Sequence, residues 1–345
     1  MESIDLNKRI DSLDYLRGFA LLGIILINSV YLLDARLPEE HSIDALYQRF
    51  LYLFIEGRFY TIFSFLFGVG FYIFISRAYA KGNNGVILFL RRIAWMFAFG
   101  LIHSIFHPGE ALTVYAFCGL IVLPFNKIKR EINLVIGIIL LIGFSILAVK
   151  VLLPLPMILL GFTAGQYHVF ENITKKMKSL VFFTTIMLIM SIIGISYQFQ
   201  HVPSTPFDGF HLNEVDSGKR IIVSTFLNIG IMVGPVLSAF YVGLLILLLR
   251  KPSAQNLLSP LKYYGRMSLT NYIMQTVLLV LVGNIFSLKG NVGFIETLYL
   301  CILIYFIQLL FSTVWLRYFH FGPLEWFWRW LTYLKMPELK KQSNT

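Results

Sequence analysis

Ile221-Ile222-Val223-Ser224-Thr225-Phe226-Leu227-Asn228-Ile229-Gly230-Ile231-Met232-Val233-Gly234-Pro235-Val236-Leu237-Ser238-Ala239-Phe240-Tyr241-Val242-Gly243-Leu244-Leu245-Ile246-Leu247-Leu248-Leu249 runs for 29 residues without a charged side chain. A helix needs about 20 apolar residues to cross the hydrocarbon core of a bilayer. This stretch is long enough to cross, and Gly234-Pro235 at its middle predicts tilt or a kink. Nine further stretches resemble it: 14–33, 58–77, 91–107, 110–126, 132–150, 153–170, 178–199, 264–288 and 294–316. The third and fourth spans in chain order are short and joined by His107-Pro108-Gly109, which reads as the turn of a helical hairpin. The predicted fold is all-α, a polytopic transmembrane bundle of about 10 spans. Residues 1–345 read as one integral membrane domain, with six spans in 14–170 and four in 178–335.

Composition excludes the other classes. Hydrophobic residues are 57% of the 345 and charged residues 14%, whereas soluble domains carry about 25% charge. A soluble globule lacks polar cover at these values, and a disordered chain lacks the apolar content. The net charge of +11 falls between apolar runs, so it points to orientation in the membrane, not to nucleic acid. Cys118 and Cys301 both lie inside apolar runs, which argues against a disulfide framework or a thiolate metal site. The first apolar run ends at Asp34 and Arg36 without a small-residue cleavage pattern and reads as a retained anchor.

Lys and Arg set the expected orientation. With the N-terminus inside and the spans alternating, inner segments hold 22 of the 29 Lys and Arg residues and outer segments hold 7. The positive-inside rule then places both termini in the cytoplasm, with the polar loops 34–57 and 200–220 outside. Pro323-Leu324-Glu325-Trp326-Phe327-Trp328-Arg329-Trp330 is too short to span. It reads as a C-terminal interfacial helix with Glu325 and Arg329 as an i,i+4 pair.

Polar residues at depth are the informative ones in a membrane protein. Asn28 follows Arg17 by 11 residues and His103 follows Arg92 by 11, so both sit about 16 Å above an inner-edge arginine. Glu110 and Tyr115 open the next span, and Asn271 and Gln275 share one face of the ninth. These groups can line one cavity. Asn271 and Gln275 read equally as packing glue between helices. His103 with Glu110 reads either as a proton-transfer pair or as a cap on the hairpin. Arg91 and Arg92 either anchor a span at the headgroups or hold the phosphates of a cytoplasmic donor. Glu56 and Arg58 read as a local ion pair. Phe67-Gly68-Val69-Gly70 reads as close helix packing. No GxxxxGK loop is present, and the histidines offer no complete metal-ligand set, so metal binding is not expected.

The segment Leu13-Asp14-Tyr15-Leu16-Arg17-Gly18-Phe19-Ala20-Leu21-Leu22-Gly23, ending at Asn28, resembles the opening signature of the YeiB-like family. Phe63 to Gly70, Gly100 to His103 with Glu110 to Tyr115, Gly265 to Tyr272, and Gly322 to Arg329 agree with it over nearly the whole chain. That resemblance implies a multi-pass protein of a bacterial plasma membrane whose C-terminal half is a domain of unknown function. A more distant likeness links the same opening to the transmembrane acyltransferase superfamily that includes heparan-alpha-glucosaminide N-acetyltransferase. Its catalytic Asn maps onto Asn28, and its His falls near Glu39 and Glu40, two residues from His41.

The likeness implies acyl transfer from cytoplasmic acyl-CoA, such as acetyl-CoA, to a glycan or small-molecule acceptor at the outer face. Acyl-CoA would be a co-substrate and no cofactor would be bound. Arg17, Arg91 and Arg92 would meet the donor phosphates, Asn28 would bond the developing oxyanion, and His103 or His41 would be the base. His103 is favoured, because Glu110 can orient it and His41 sits on a polar loop. Two other readings stay open: a transporter or exporter of a small molecule, and a non-catalytic membrane partner.

Overall fold

A computed structural model describes residues 9–172, 176–209 and 217–341. Lys8, Lys175 and residues 210–216 of the expected outer loop lie outside the described residues. Fourteen α-helices and no strand occur among the described residues. They are α1 (Asp11–Leu32), α2 (Ile43–Phe50), α3 (Arg58–Ala80), α4 (Gly85–Ser104), α5 (Leu112–Val122), α6 (Arg130–Ile146) and α7 (Pro154–Gln166). The remainder are α8 (Met177–Gln200), α9 (Ser217–Leu248), α10 (Pro252–Leu257), α11 (Ser259–Arg266), α12 (Ser268–Ile285), α13 (Phe294–Tyr318) and α14 (Pro323–Tyr333).

Each predicted stretch holds a helix, but length separates them. Seven helical stretches are long and apolar enough to cross a membrane: α1, α2 with α3, α4, α8, α9, α12 and α13. The helices α5, α6 and α7 fall short of about 20 residues. Pro124 turns the end of α5 into a 3₁₀ segment, Leu123–Lys127, and Pro154 opens α7. Pro lacks the amide that a continuing helix needs.

The core is set by two close crossings. A Cβ on Gly68 of α3 would meet the carbonyl of Ile158 in α7, and one on Gly161 of α7 would meet the carbonyl of Phe65. On the other side, Gly18 of α1 and Gly265 of α11 approach in the same reciprocal way, against Leu261 and Asp14. Small residues let membrane helices touch backbone to backbone, gaining dispersion where no hydrophobic drive acts. Both halves of the chain interlock through these contacts, since α1 packs on α11, α12 and α13, and α3 packs on α9.

Four local expectations change. The loop 34–57 contains α2, whose N-cap Ser42 accepts from Ala45 N–H at 3.1 Å and which runs on through a π turn, Leu51–Ile55. Gly57, with φ +77°, ends that run in a conformation other residues resist. Its polar side is tied down, with Gln48 Nε2 donating to the Phe207 carbonyl at 2.7 Å and Asp44 Oδ1 accepting from Ile295 N–H at 2.9 Å.

The ninth span is broken at Met267 into α11 and α12. Glu325 reaches the buried N-terminus of α12, accepting from Leu269 N–H at 2.7 Å, Thr270 N–H at 3.1 Å and Thr270 Oγ1 at 2.6 Å. It therefore does not pair with Arg329, whose guanidinium lies 4.8 Å from the Phe321 ring centre. The anion prefers the unsatisfied amides of a helix start.

Glu56 pairs with Lys150, not with the Arg58 guanidinium. Arg58 donates to the Glu56 carbonyl and to Gln198 Oε1, the latter at 2.8 Å.

Candidate functional site

The helix faces left between these crossings enclose a cavity of ≈ 920 Å³, near the upper end of the usual range for ligand sites, about 300–1,000 Å³. Its walls show why the sequence builds it. From α1 come Leu13, Asp14, Arg17, Ile24, Ile27, Asn28 and Tyr31, adjacent pairs and singles that recur three, four or seven apart on one helical face. From α3 come Tyr60, Phe63, Phe67, Gly70, Phe74, Arg77 and then Lys81, again one face. Arg17 and Tyr31 are 14 residues apart on one helix, about 21 Å, so the cavity covers much of a bilayer core of about 30 Å.

One end is basic. Arg9, Arg17, Arg77, Lys81, Arg92, Arg266 and Arg329 line it, against Asp14 and Glu325. Asp14 is buried between two of the cations, bonding Arg9 Nε at 2.5 Å and Arg17 Nη1 at 3.0 Å. Arg92 is held differently: its guanidinium carbon stands 3.6 Å from the Trp328 ring centre and 5.0 Å from that of Phe74. A Cβ on Gly70 would come within 3.5 Å of Arg17 Nη2, so the glycine leaves that guanidinium room. The surplus of cations over acids gives this mouth a positive field that attracts anions, and guanidinium groups suit phosphate geometry.

The middle is apolar and aromatic, with Phe63, Phe67 and Tyr115 in stacked contact, ring centres 5.8–6.0 Å apart. Tyr115 Oη accepts from Ser64 Oγ at 3.1 Å and donates to the Tyr60 carbonyl at 3.2 Å.

The far end is polar and narrow in charge. Asn28, Tyr31, His107, Glu110 and Tyr272 meet there. Glu110 caps α5, accepting from Leu112 N–H and Thr113 N–H, both at 2.7 Å, and from Thr113 Oγ1. Ala111 N–H donates to Tyr272 Oη at 3.2 Å.

Five expected positions lie elsewhere. His103 is buried behind the wall: its Nε2 meets Thr276 Oγ1 at 2.8 Å, its Nδ1 stands 3.7 Å from Glu110 Oε2, and it does not line the cavity. One turn below, a Cβ on Gly100 would touch Thr113, so this face of α4 packs closely on α5. No hydrogen bond joins His103 to Asn28. His41 is exposed, with φ +62°, and lines no part of the cavity. Arg91 is exposed on the outer side of α4, while its neighbour Arg92 points in.

Asn271 and Gln275 are spent on helix packing. Asn271 Nδ2 donates to the Tyr264 carbonyl and to Ser312 Oγ, both at 2.9 Å, and Gln275 Nε2 donates to Tyr264 Oη at 2.5 Å. Arg17, Arg92, Asn28, Glu110 and Tyr115 do line the cavity. Sequence reasoning missed His107 and the cations Arg9, Arg77, Lys81, Arg266 and Arg329. The i,i+4 spacing from His103 was the available signal for His107.

Among the described residues no three His, Cys, Asp or Glu side chains gather as metal ligands. The arrangement is that of a helical membrane protein with an internal cavity, cationic at one end and polar at the other.

Comparison with known proteins places it further. Residues 164–335 match the family model described as a protein of unknown function, DUF418. The chain is 55% identical over 344 residues to the uncharacterized 39.9 kDa protein in the amylase 3′ region of Bacillus acidopullulyticus, covering 99% of each chain. It is 28% identical to YxaH of Bacillus subtilis (strain 168), covering 98% of each chain. A segment of 68 residues is 43% identical to YeiB of Escherichia coli (strain K12), covering 20% of this chain and 18% of YeiB. The chain belongs to the YeiB-like DUF418 family.

Proposed function

We propose that this protein is an acyltransferase of the bacterial plasma membrane. It would carry an acyl group from cytoplasmic acyl-CoA to an acceptor, a glycan or small molecule, at the outer face. The observation that carries the reading is the single cavity joining seven cationic side chains to Asn28 through an aromatic throat. A phosphorylated donor with a slender, partly apolar arm suits that gradient. Phosphates would rest among Arg17, Arg92 and their neighbours, and the thioester would lie near Asn28, whose amide would bond the oxyanion as it forms. His103, packed behind the far wall, and Glu110, which lines it, would act as positioning residues.

The 22 to 7 distribution of Lys and Arg supports a cytoplasmic basic mouth and cytoplasmic termini. In this topology α5, α6 and α7 complete ten crossings as short helices.

Proteoliposomes given acetyl-CoA at the basic face and a panel of amino sugars, sugars and polyols at the other face test the proposal. Acceptor-dependent release of coenzyme A thiol is expected. Translocation of an organic anion without thiol release would instead favour the transporter reading, which the end-to-end reach of the cavity also suits.

A further inference from the structure

His107 is the anomaly of the far end. It is 2% exposed, yet neither ring nitrogen has a hydrogen-bond partner. Buried polar atoms are almost always paired, and an exception calls for a cause. Its position is not loose. The backbone N–H of His107 donates to the His103 carbonyl at 3.0 Å, and its carbonyl accepts from Glu110 N–H at 3.0 Å. The ring is wedged between His103, edge to face at 5.6 Å, and Tyr31 at 6.0 Å. It lines the cavity, as does Asn28 on the same α1 face as Tyr31.

Both imidazole nitrogens are unpaired and covered, beside a polar pocket that the residue lines, so a group entering the pocket has only to displace that cover to bond one of them. His103 is not so arranged, because Thr276 already holds its Nε2.

We infer that His107, not His103 or His41, is the group that takes the proton from the acceptor. The inference rests on the acyl-transfer reading. An acceptor hydroxyl, or amine, gives its proton to one imidazole nitrogen as its oxygen or nitrogen bonds the thioester carbonyl carbon. The C–S bond then breaks, and the leaving thiolate takes the proton from the imidazolium. The products are the acylated acceptor and coenzyme A thiol, with the imidazole neutral again. Asn28 faces the same space and would meet the carbonyl oxygen. His103, through its edge contact and Glu110, would keep the ring in place.

Two measurements keep this inference separate from its parent. Carbethoxylation of purified protein with diethyl pyrocarbonate, read by mass spectrometry, reports whether the imidazole is open to the cavity regardless of activity. Modification of His107 with His103 protected is expected, and the reverse pattern overturns the inference. Turnover is then compared in His107→Gln and His103→Gln. A loss of about 100-fold or more in kcat is expected for His107→Gln, with coenzyme A affinity and KM for acyl-CoA unchanged.

Since a glutamine variant can misfold, His107→Ala is included, where added imidazole is expected to restore turnover through the vacated space. Wild-type turnover in His107→Gln overturns the base role. So does loss in His103→Gln alone, or failure of imidazole to rescue a well-folded His107→Ala. If wild-type protein binds coenzyme A but transfers nothing to any acceptor, the base role falls with the parent reading. The carbethoxylation result then still reports an open imidazole.

Discussion

Trp328 holds Arg92 from two sides: its indole lies 3.6 Å from the guanidinium carbon, and its Nε1 donates to the Arg92 carbonyl at 2.9 Å. This pair fastens the C-terminal helix α14 to α4 and fixes one cation at the basic mouth. Trp328→Ala is expected to lower stability by about 2–4 kcal/mol, from lost burial and a lost cation–π contact. It should weaken coenzyme A binding as well. Trp328→Phe keeps a ring face and should recover most of the affinity. Thermal melting and titration of the three proteins in detergent check both parts.

Glu325 caps α12 from α14 through two backbone amides and Thr270 Oγ1. Burial pushes its carboxyl above the ordinary range, against those hydrogen bonds. An acid whose folded value is raised binds a proton more readily when folded. Its contribution is then fully favourable below the unfolded value and declines as pH rises through the folded one. Glu325→Gln is therefore expected to melt close to wild type, with a weaker loss of stability on raising pH from 4 upward. Glu325→Ala should cost about 1–2 kcal/mol at low pH, as a lost helix cap does, and less as pH rises.

Two glycines of one motif should respond in opposite ways. Gly68→Ala drives a Cβ into the Ile158 carbonyl across the α3–α7 crossing. It is expected to cost several kcal/mol or prevent folding, since both backbones must separate. Gly70 faces the cavity beside Arg17. Gly70→Val is expected to fold and to lower coenzyme A affinity by crowding that guanidinium. Yield and melting temperature distinguish the two.

Asn271→Ala should reduce stability by about 1 kcal/mol and leave coenzyme A affinity untouched, because its amide serves Tyr264 and Ser312. A large loss of affinity in a well-folded Asn271→Ala would place it in the site after all.

The helices were legible because a bilayer imposes one length and one polarity, and stretches such as 221–249 announce both. The short helix α2 was not, since Asp44, Gln48 and Arg49 dilute its hydropathy and its partners, Phe207 and Ile295, are distant in sequence. The cavity was legible in part. Asn28, Arg17 and Arg92 stood out by depth, but depth says nothing of rotation. Asn271 turns toward α11 and α13, and His103 toward α12. The basic mouth was hidden for another reason: a cation that orients the chain and one that binds a ligand look alike in sequence. Arg77, Lys81 and Arg266 all counted as orientation alone until the fold brought them together. His107 stands in a Pro-Gly turn in the sequence, and only the packing shows it lining the cavity with both ring nitrogens unpaired.

Acyl transfer by this protein requires that the basic mouth receive a phosphorylated acyl donor. The most direct test is calorimetric titration of coenzyme A into purified protein at two ionic strengths, with Arg17→Ala and Arg92→Ala beside the wild type. Exposed charges weaken with salt over a Debye length of about 10 Å at 0.1 M. Saturable binding that weakens as salt rises is expected, with about tenfold lower affinity in each variant. No binding of coenzyme A or acetyl-CoA to folded wild-type protein at millimolar concentration would contradict acyl transfer by this protein.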